Sequence, residues 1–493
     1  MTYDGTLIMK ILTPSQAISM IPSGATIAPG GFGSCGHPDL FTRALEKRFL
    51  DSGEPKDLTL LFASGAGDKR GGGLDRLAHP GLVIRAIGGY WNLCPKLGGM
   101  GELGGIEAHN WPQGVVSKLF SVIAEGGPGV ISKVGLNTFV DPRFEGGVFK
   151  PESTKSLVEV VLIKGEEYLF YPSKKIDAVL MRGTVADRFG NVSLRGEASK
   201  MDALSQAQAA RNSGGIVLIQ VKCVQHDQLS ATEVDIPGHL VDAVVNSKGL
   251  DHPFTYGHDT CPDRGVKNYA EPDEIRQRIV SRALAELPVG PYQKKVINFG
   301  IGIPAEVGQS MSEEQRASYT LSVESGVIGG SPLFGDSFGA SVNPDAIVDQ
   351  SQLFTFYDGG GIDKAFLGFA QIDEKGRVNV SKFHDRRPGA GGFINITSSA
   401  KELIFCGALV AKGPLGEETR GMAKIVKNLD QITFDPSYSK ASKIKIITDR
   451  AVFVVRSDTL VLTEVAEGME PEDVRELTDA YFEVDHELSK INC

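Results

Sequence analysis

One local order occurs twice in this chain: a helix, a short apolar strand, a glycine-rich loop and a further helix. In the first copy Thr13-Pro14-Ser15-Gln16-Ala17-Ile18 starts a helix and Ala25 to Ala28 reads as a strand. The loop is Gly30-Gly31-Phe32-Gly33-Ser34-Cys35-Gly36-His37-Pro38, and a helical pattern follows through Leu40, Ala44 and Leu45. In the second, Glu271-Pro272-Asp273 opens a helix with Ile275, Ile279, Ala283, Leu284 and Leu287 at helical spacing. Lys294 to Phe299 then reads as a strand leading into the loop Gly300-Ile301-Gly302-Ile303-Pro304. Each copy also has a later turn into a strand, Asp187 to Ser193 and Asp373 to Ser381. A hydrophobic strand candidate follows each turn, Gly215 to Val221 and Glu402 to Val410. Alternation of this kind predicts an α/β protein of two related open domains with mostly parallel sheets. Their spans are 1–250 and 273–493, with residues 251–272, which carry Pro253, Pro262 and Pro272, as linker.

Length and charge agree with that reading. A chain of 493 residues is long enough for several domains at about 100–200 residues each. Its net charge of −10 argues against nucleic acid or an anionic membrane as the main partner. Glycine contributes 59 residues, about 12% against a usual ~7%, which points to loops where backbone approaches something closely. Six cysteines without paired spacing suggest neither a disulfide framework nor a zinc site, and nine histidines form no metal-binding grouping. With no secretory signal visible and no apolar run near ~18 residues, a cytoplasmic protein is expected.

Two chemistries fit the segment from Phe299 to Glu324. Gly300-x-Gly302-x-x-Ala305 after a strand matches a dinucleotide fingerprint, and Glu324 falls where that fold places a ribose-binding acid, so a dinucleotide-dependent oxidoreductase is one reading. In the other, Glu324 in Ser322-Val323-Glu324-Ser325-Gly326 is presented from a strand end and acts as a nucleophile on a thioester carbonyl. That chemistry needs N–H donors for the developing oxyanion, and Gly389-Ala390-Gly391-Gly392 is a run of small residues whose amides no side chain shields.

Taken together, Gly30-Gly31-Phe32-Gly33-x-Cys35-Gly36-x-Pro38, Gly300 to Pro304, Glu324-Ser325-Gly326 and Gly389 to Phe393 resemble, in order, the motif set of the family I coenzyme A transferases. Nearly the whole chain is similar to the single-chain propionate, acetate and lactate branch, in which α-like and β-like halves are fused. The resemblance implies that CoA moves between a short-chain acyl-CoA and a carboxylate by a ping-pong route, with Glu324 as the nucleophile that becomes a glutamyl-CoA thioester. It implies that Gly300, Ile301, Gly302, Ile303, Pro304, Gly389, Ala390, Gly391 and Gly392 contact CoA or the oxyanion. It places Gly31, Phe32 and Gly33 in the acyl pocket, with Gln113 as a hydrogen-bonding partner for a substrate carboxylate. Two-subunit relatives read Glu-Asn-Gly where this chain has Glu324-Ser325-Gly326, a departure that shifts the branch and keeps the nucleophile. No metal or tightly bound cofactor is expected, CoA being substrate and covalent intermediate. A closed homo-oligomer such as a tetramer is expected as well. An acyl-CoA hydrolase on the same site is the neighbouring alternative, and a non-catalytic binding protein a third.

Other residues read as structural first. Cys35 lacks a base at recognisable spacing. His384-Asp385-Arg386-Arg387 and Lys69-Arg70-Gly71-Gly72-Gly73 could meet CoA phosphates or simply be solvated. Pro471 to Cys493 reads as an acidic closing helix.

Overall fold

A computed structural model describes residues 9–262, 273–383, 386–411 and 421–491. Expectations on Glu271, Pro272, His384, Asp385, Cys493 and the linker's residues 263–272 lie outside the described residues. Among the described residues, no helix is long and apolar enough to cross a membrane.

Short runs of branched and aromatic residues form one large sheet in each half. In the first half the strands are β1 (Thr26–Pro29), β2 (Leu58–Phe62), β3 (Val83–Gly88), β4 (Glu107–Asn110), β5 (Ala178–Ala186), β6 (Ile216–Val224) and β7 (Ala243–Asn246). They pair in parallel in the order β7-β6-β5-β1-β2-β3-β4. Every residue of β1 and β2 is buried, as strands covered on both faces must be. Two helices carry residues toward the site: α1 (Asp39–Ser52) after the first glycine loop, and α2 (Gln113–Ala124) after β4. Val115, Val116, Leu119, Phe120 and Ile123 of α2 are buried in the core of this half.

The second half centres on β8 (Val296–Phe299), β9 (Thr320–Val323), β10 (Lys364–Gly368), β11 (Glu402–Cys406) and β12 (Lys443–Ile447), parallel in the order β9-β8-β10-β11-β12. Antiparallel strands flank this centre on both sides, so the second sheet is mixed where the first is parallel throughout its main path. Helix α3 (Ile303–Ser310) follows the second glycine loop, and α4 (Phe393–Ser399) follows Gly389–Gly392. Asp273 caps helix Glu274–Leu284 by accepting from Arg276 N–H at 2.9 Å.

The C-terminal segment departs from the sequence expectation. Only Pro471–Glu476 is helical, and Glu483–Lys490 is a strand parallel to Thr459–Val465. Val484 and Leu488 pack on the core of the second half, and sheet pairing decides what the charge-rich composition left open.

In a parallel sheet every strand points its carboxyl end the same way, and the loops after those ends form the natural binding face. Here the two faces meet. Trp91 N–H donates to Pro388 O at 2.8 Å, Gly391 N–H to Gly89 O at 2.8 Å and Gln113 N–H to Gly391 O at 2.9 Å. Ser34 Oγ donates to Phe338 O at 2.7 Å, and Ala390 and Ile394 of the second half are buried in the core of the first.

Candidate active site

A cleft of about 270 Å³ lies where the strand ends face each other. The first half contributes Phe32 and Gly33 after β1, Tyr90, Asn92 and Leu93 after β3, and Gln113 after β4. From the second come Gly300 and Ile301 after β8, Glu324 after β9, Gly368 to Ala370 at the end of β10, and Gly389 to Gly392.

Glu324 is 8% exposed, and its Oε2 has no hydrogen-bond partner. Burial pushes the carboxyl up to about 7, with its own backbone N–H and the Asn298 amide opposing the rise only in part. Beside it, Asn298 Nδ2 donates to Ser322 O and to Tyr357 Oη, each at 3.3 Å, while Tyr357 Oη donates to Ser322 Oγ at 2.8 Å. Leaving a buried acceptor unpaired costs about 1–3 kcal/mol, more when it is charged. The site therefore holds the carboxylate poorly satisfied.

The backbone after Glu324 is locked. Ser325 Oγ donates to Gly339 O at 2.6 Å, and Ser325 O accepts from Ser199 Oγ of the first half. A short hydroxyl at position 325 thus fastens the strand end to its neighbour.

The sequence-derived residues separate into groups. Phe32, Gly33, Gln113, Gly300, Ile301, Glu324, Gly389, Ala390, Gly391 and Gly392 line one cleft. Gly302, Ile303 and Pro304 line an adjoining cavity that shares Ile301, Gly368 and Phe369 with it. Gly31 lines neither and packs against Ala66 and His37. Within the Gly389–Gly392 loop, Ala390 N–H donates to Asn110 Oδ1 at 2.9 Å and Gly391 N–H to Gly89 O, so two of the expected oxyanion donors join the halves instead. Gly392 lies closest to the acid: a Cβ placed on it would stand 3.5 Å from Glu324 Cγ. Gln113 donates through Nε2 to Gln350 Oε1 at 3.3 Å, and Gln350 donates to Asp202 Oδ2 at 2.9 Å, which fixes the Gln113 amide by a chain crossing the halves.

Several candidates are structural. Burial drives the Cys35 thiol up to about 12, and its Sγ donates to Phe32 O. Arg387 is held between Glu102 at 2.9 Å and Glu145 at 3.2 Å, and Arg70 pairs with Asp336 at 3.1 Å, so neither is a free cation for phosphate. Asn298, Tyr90, Asn92 and Phe338 were not anticipated from sequence. A single Asn inside the apolar run Val296-Ile297-Asn298-Phe299 was the one available signal, because a polar residue in a buried strand needs a purpose.

Fold and cleft define the class: the chain belongs to the coenzyme A transferase family and is a CoA-transferase. A family model described as coenzyme A transferase matches residues 11–247. The chain is 37% identical to the caffeate CoA-transferase of Acetobacterium woodii, covering 94% of this chain and 92% of that protein. It is 35% identical to the acetate CoA-transferase YdiF of Escherichia coli (strain K12), covering 94% and 90%. Its fold superposes, with a TM-score of 0.89 and 33% identity, on the crystal structure of the Escherichia coli O157:H7 acyl-CoA transferase YdiF as a thioester complex with CoA, covering 98% of this chain and 95% of that one. Membership decides between the two readings of Phe299 to Glu324. The segment does build the parallel β8-α3-β9 unit that a dinucleotide fold would use, but the chain is a CoA-transferase.

Proposed function

We propose that this enzyme exchanges CoA between a short-chain, singly charged carboxylic acid and a second such acid, with Glu324 as the covalent relay and residues 1–250 and 273–493 as its two domains. Glu324 Oε attacks the acyl-CoA carbonyl carbon, the C–S bond breaks, and CoA leaves as thiolate from an acyl-glutamyl anhydride. The thiolate then attacks the glutamyl carbonyl, the anhydride C–O bond breaks, and the donor acid leaves as its carboxylate. The acceptor carboxylate attacks the glutamyl-CoA thioester and the same steps run in reverse.

One observation carries this reading: a buried carboxyl with an unpaired oxygen at the meeting of two sets of strand ends. The relative crystallised as a thioester complex with CoA supports the covalent step. Gly392 supplies the oxyanion donor, and Gly300, Ile301, Gly302, Ile303 and Pro304 guide the carrier arm. The described cleft lining includes no Lys, Arg or His, and Phe32, Leu93, Phe338, Phe383 and Phe393 dominate it, which favours acyl groups without a second carboxylate. We carry with this reading a cytoplasmic homo-oligomer without tightly bound cofactor, for which light scattering of the purified protein gives the assembly size.

The test is incubation with acetyl-CoA and no acceptor, followed by peptide mass spectrometry. The expected product is CoA joined to the Glu324 peptide with loss of water. An enzyme that turns over by a ternary complex and never becomes labelled would overturn the reading, and dependence of turnover on added carboxylate separates transfer from hydrolysis.

A further inference from the structure

Beside the cleft, sharing Ile301, Gly368 and Phe369 with it, lies a second cavity of about 370 Å³, lined also by Asp273, Arg276, Gly302, Pro304, Gly407 and Lys424. Two adjoining cavities suit a ligand whose reacting end is separated by a long arm from something larger.

Asp273, Arg276 and Lys424 are the charged residues of the second cavity's lining. The Lys424 backbone is pinned from both sides: its N–H donates to Leu409 O at 3.3 Å, and its carbonyl accepts from Ile372 N–H at 2.8 Å. The ammonium sits 4.1 Å from the centroid of the Phe369 ring, which lines both cavities. It also lies against Gly407, where a Cβ would come within 3.0 Å of Nζ. The acid that acts on it electrostatically, Asp449, already accepts from Leu409 N–H at 2.8 Å and lies 3.3 Å from Arg450 Nε. Arg276, in the same lining, is paired with Glu306. Partly buried ammonium groups are ordinarily matched by a carboxylate, because desolvating an unmatched charge is costly. Here burial lowers Lys424 to about 8, and among the described residues no carboxylate lies within ion-pair distance of it.

We propose that Lys424 is the anion anchor of the carrier: it binds the diphosphate end of the acyl-CoA while the acyl carbonyl reaches Glu324, and so selects phosphate-bearing thioesters over truncated ones. The inference rests on the reading of Glu324 given above. Binding at the non-reacting end of the carrier positions the carbonyl and raises the reaction's commitment to the full-length carrier.

The experiment measures kcat/KM for acetyl-CoA and for S-acetyl-N-acetylcysteamine, a thioester with the same acyl group and no phosphate, in wild type, Lys424→Met and Lys424→Arg. The expected result is that Lys424→Met reduces the preference for acetyl-CoA over the truncated thioester by about tenfold or more, mainly through KM, and that Lys424→Arg restores most of it. A preference unchanged in Lys424→Met overturns the proposal, whether both activities fall together or neither falls. Labelling of Glu324 in wild type stands apart from this ratio. An unchanged ratio with Glu324 still labelled removes the anchor alone, whereas an unlabelled wild type removes the relay.

Discussion

The two glycine loops follow the same local grammar and serve opposite ends. After β1, Gly31 (φ +116°) is hemmed in: a Cβ there would stand 3.0 Å from Ala66 Cβ and 3.1 Å from His37 Cα. Gly302, after β8, has φ +88° and nothing within 4 Å of the place a Cβ would take. In both, the backbone turns as only glycine does readily. The first loop uses that freedom to pack tightly, with Phe32 and Gly33 lining the cleft; the second leaves a stretch of cavity wall bare. Glycine in a strand-to-helix loop therefore marks two distinct surroundings, a tightly packed one and an open cavity wall, and local sequence does not separate them.

The strongest challenge to a division of labour between halves is Glu324→Gln, which should reduce exchange by about 10⁴-fold or more while leaving both halves folded. Its melting temperature should hold or rise, since the substitution removes a poorly satisfied buried carboxyl. Residual exchange near the wild-type rate would move the chemistry out of the second half. Next comes Gly31→Ala, expected to lower stability by about 3 kcal/mol through backbone strain and overpacking together, read from denaturant midpoints. Gly302→Ala carries strain alone. It should be less destabilising than Gly31→Ala and, on the proposed function, should raise the KM for acyl-CoA by about tenfold, because its methyl group enters the adjoining cavity. Equal stability losses with equal KM changes would erase the contrast between the loops.

A smaller effect follows from the Glu324 carboxyl, whose value in the fold is about 7 against an ordinary 4.5. As the proposed nucleophile, Glu324 must be ionised, so kcat/KM for acyl-CoA should fall about threefold between pH 7.5 and 6.5. The folded state holds this proton more tightly than the unfolded chain between pH 4.5 and about 7. Its contribution to stability is therefore greatest below about 4.5 and declines as pH rises toward 7. Glu324→Gln should flatten both dependences, and a wild-type profile with no inflection near neutrality would show that the carboxyl ionises as an exposed one does.

Much of the architecture was legible because periodicity and punctuation report local physics. Helices start after Thr13 and Asp273, where the sequence opens them; β8 and β11 fall within the predicted runs, and β1 and β6 overlap theirs but extend past them at the C-terminal end. Glu324 stood out because an acid at a strand end beside glycine has few bland explanations. What stayed illegible depended on partners distant in sequence. The amides of Ala390 and Gly391 were free donors on paper and are engaged by Asn110 and Gly89; Arg387, open to either a phosphate or a solvated face, is held by two glutamates. Lys424, in no motif, acquires meaning only beside Phe369 and Gly407.

By itself the sequence determined an α/β chain with two glycine loops at strand ends and one acid worth suspecting, since strand periodicity, helix caps and turn chemistry act over a few residues. Only the tertiary structure decided that the two sets of strand ends face one another, that Glu324 is buried with an oxygen unpaired, and which amides and cations remain available. Solvation and hydrogen-bond saturation belong to a neighbourhood assembled from residues hundreds of positions apart, and chain order does not encode that neighbourhood locally.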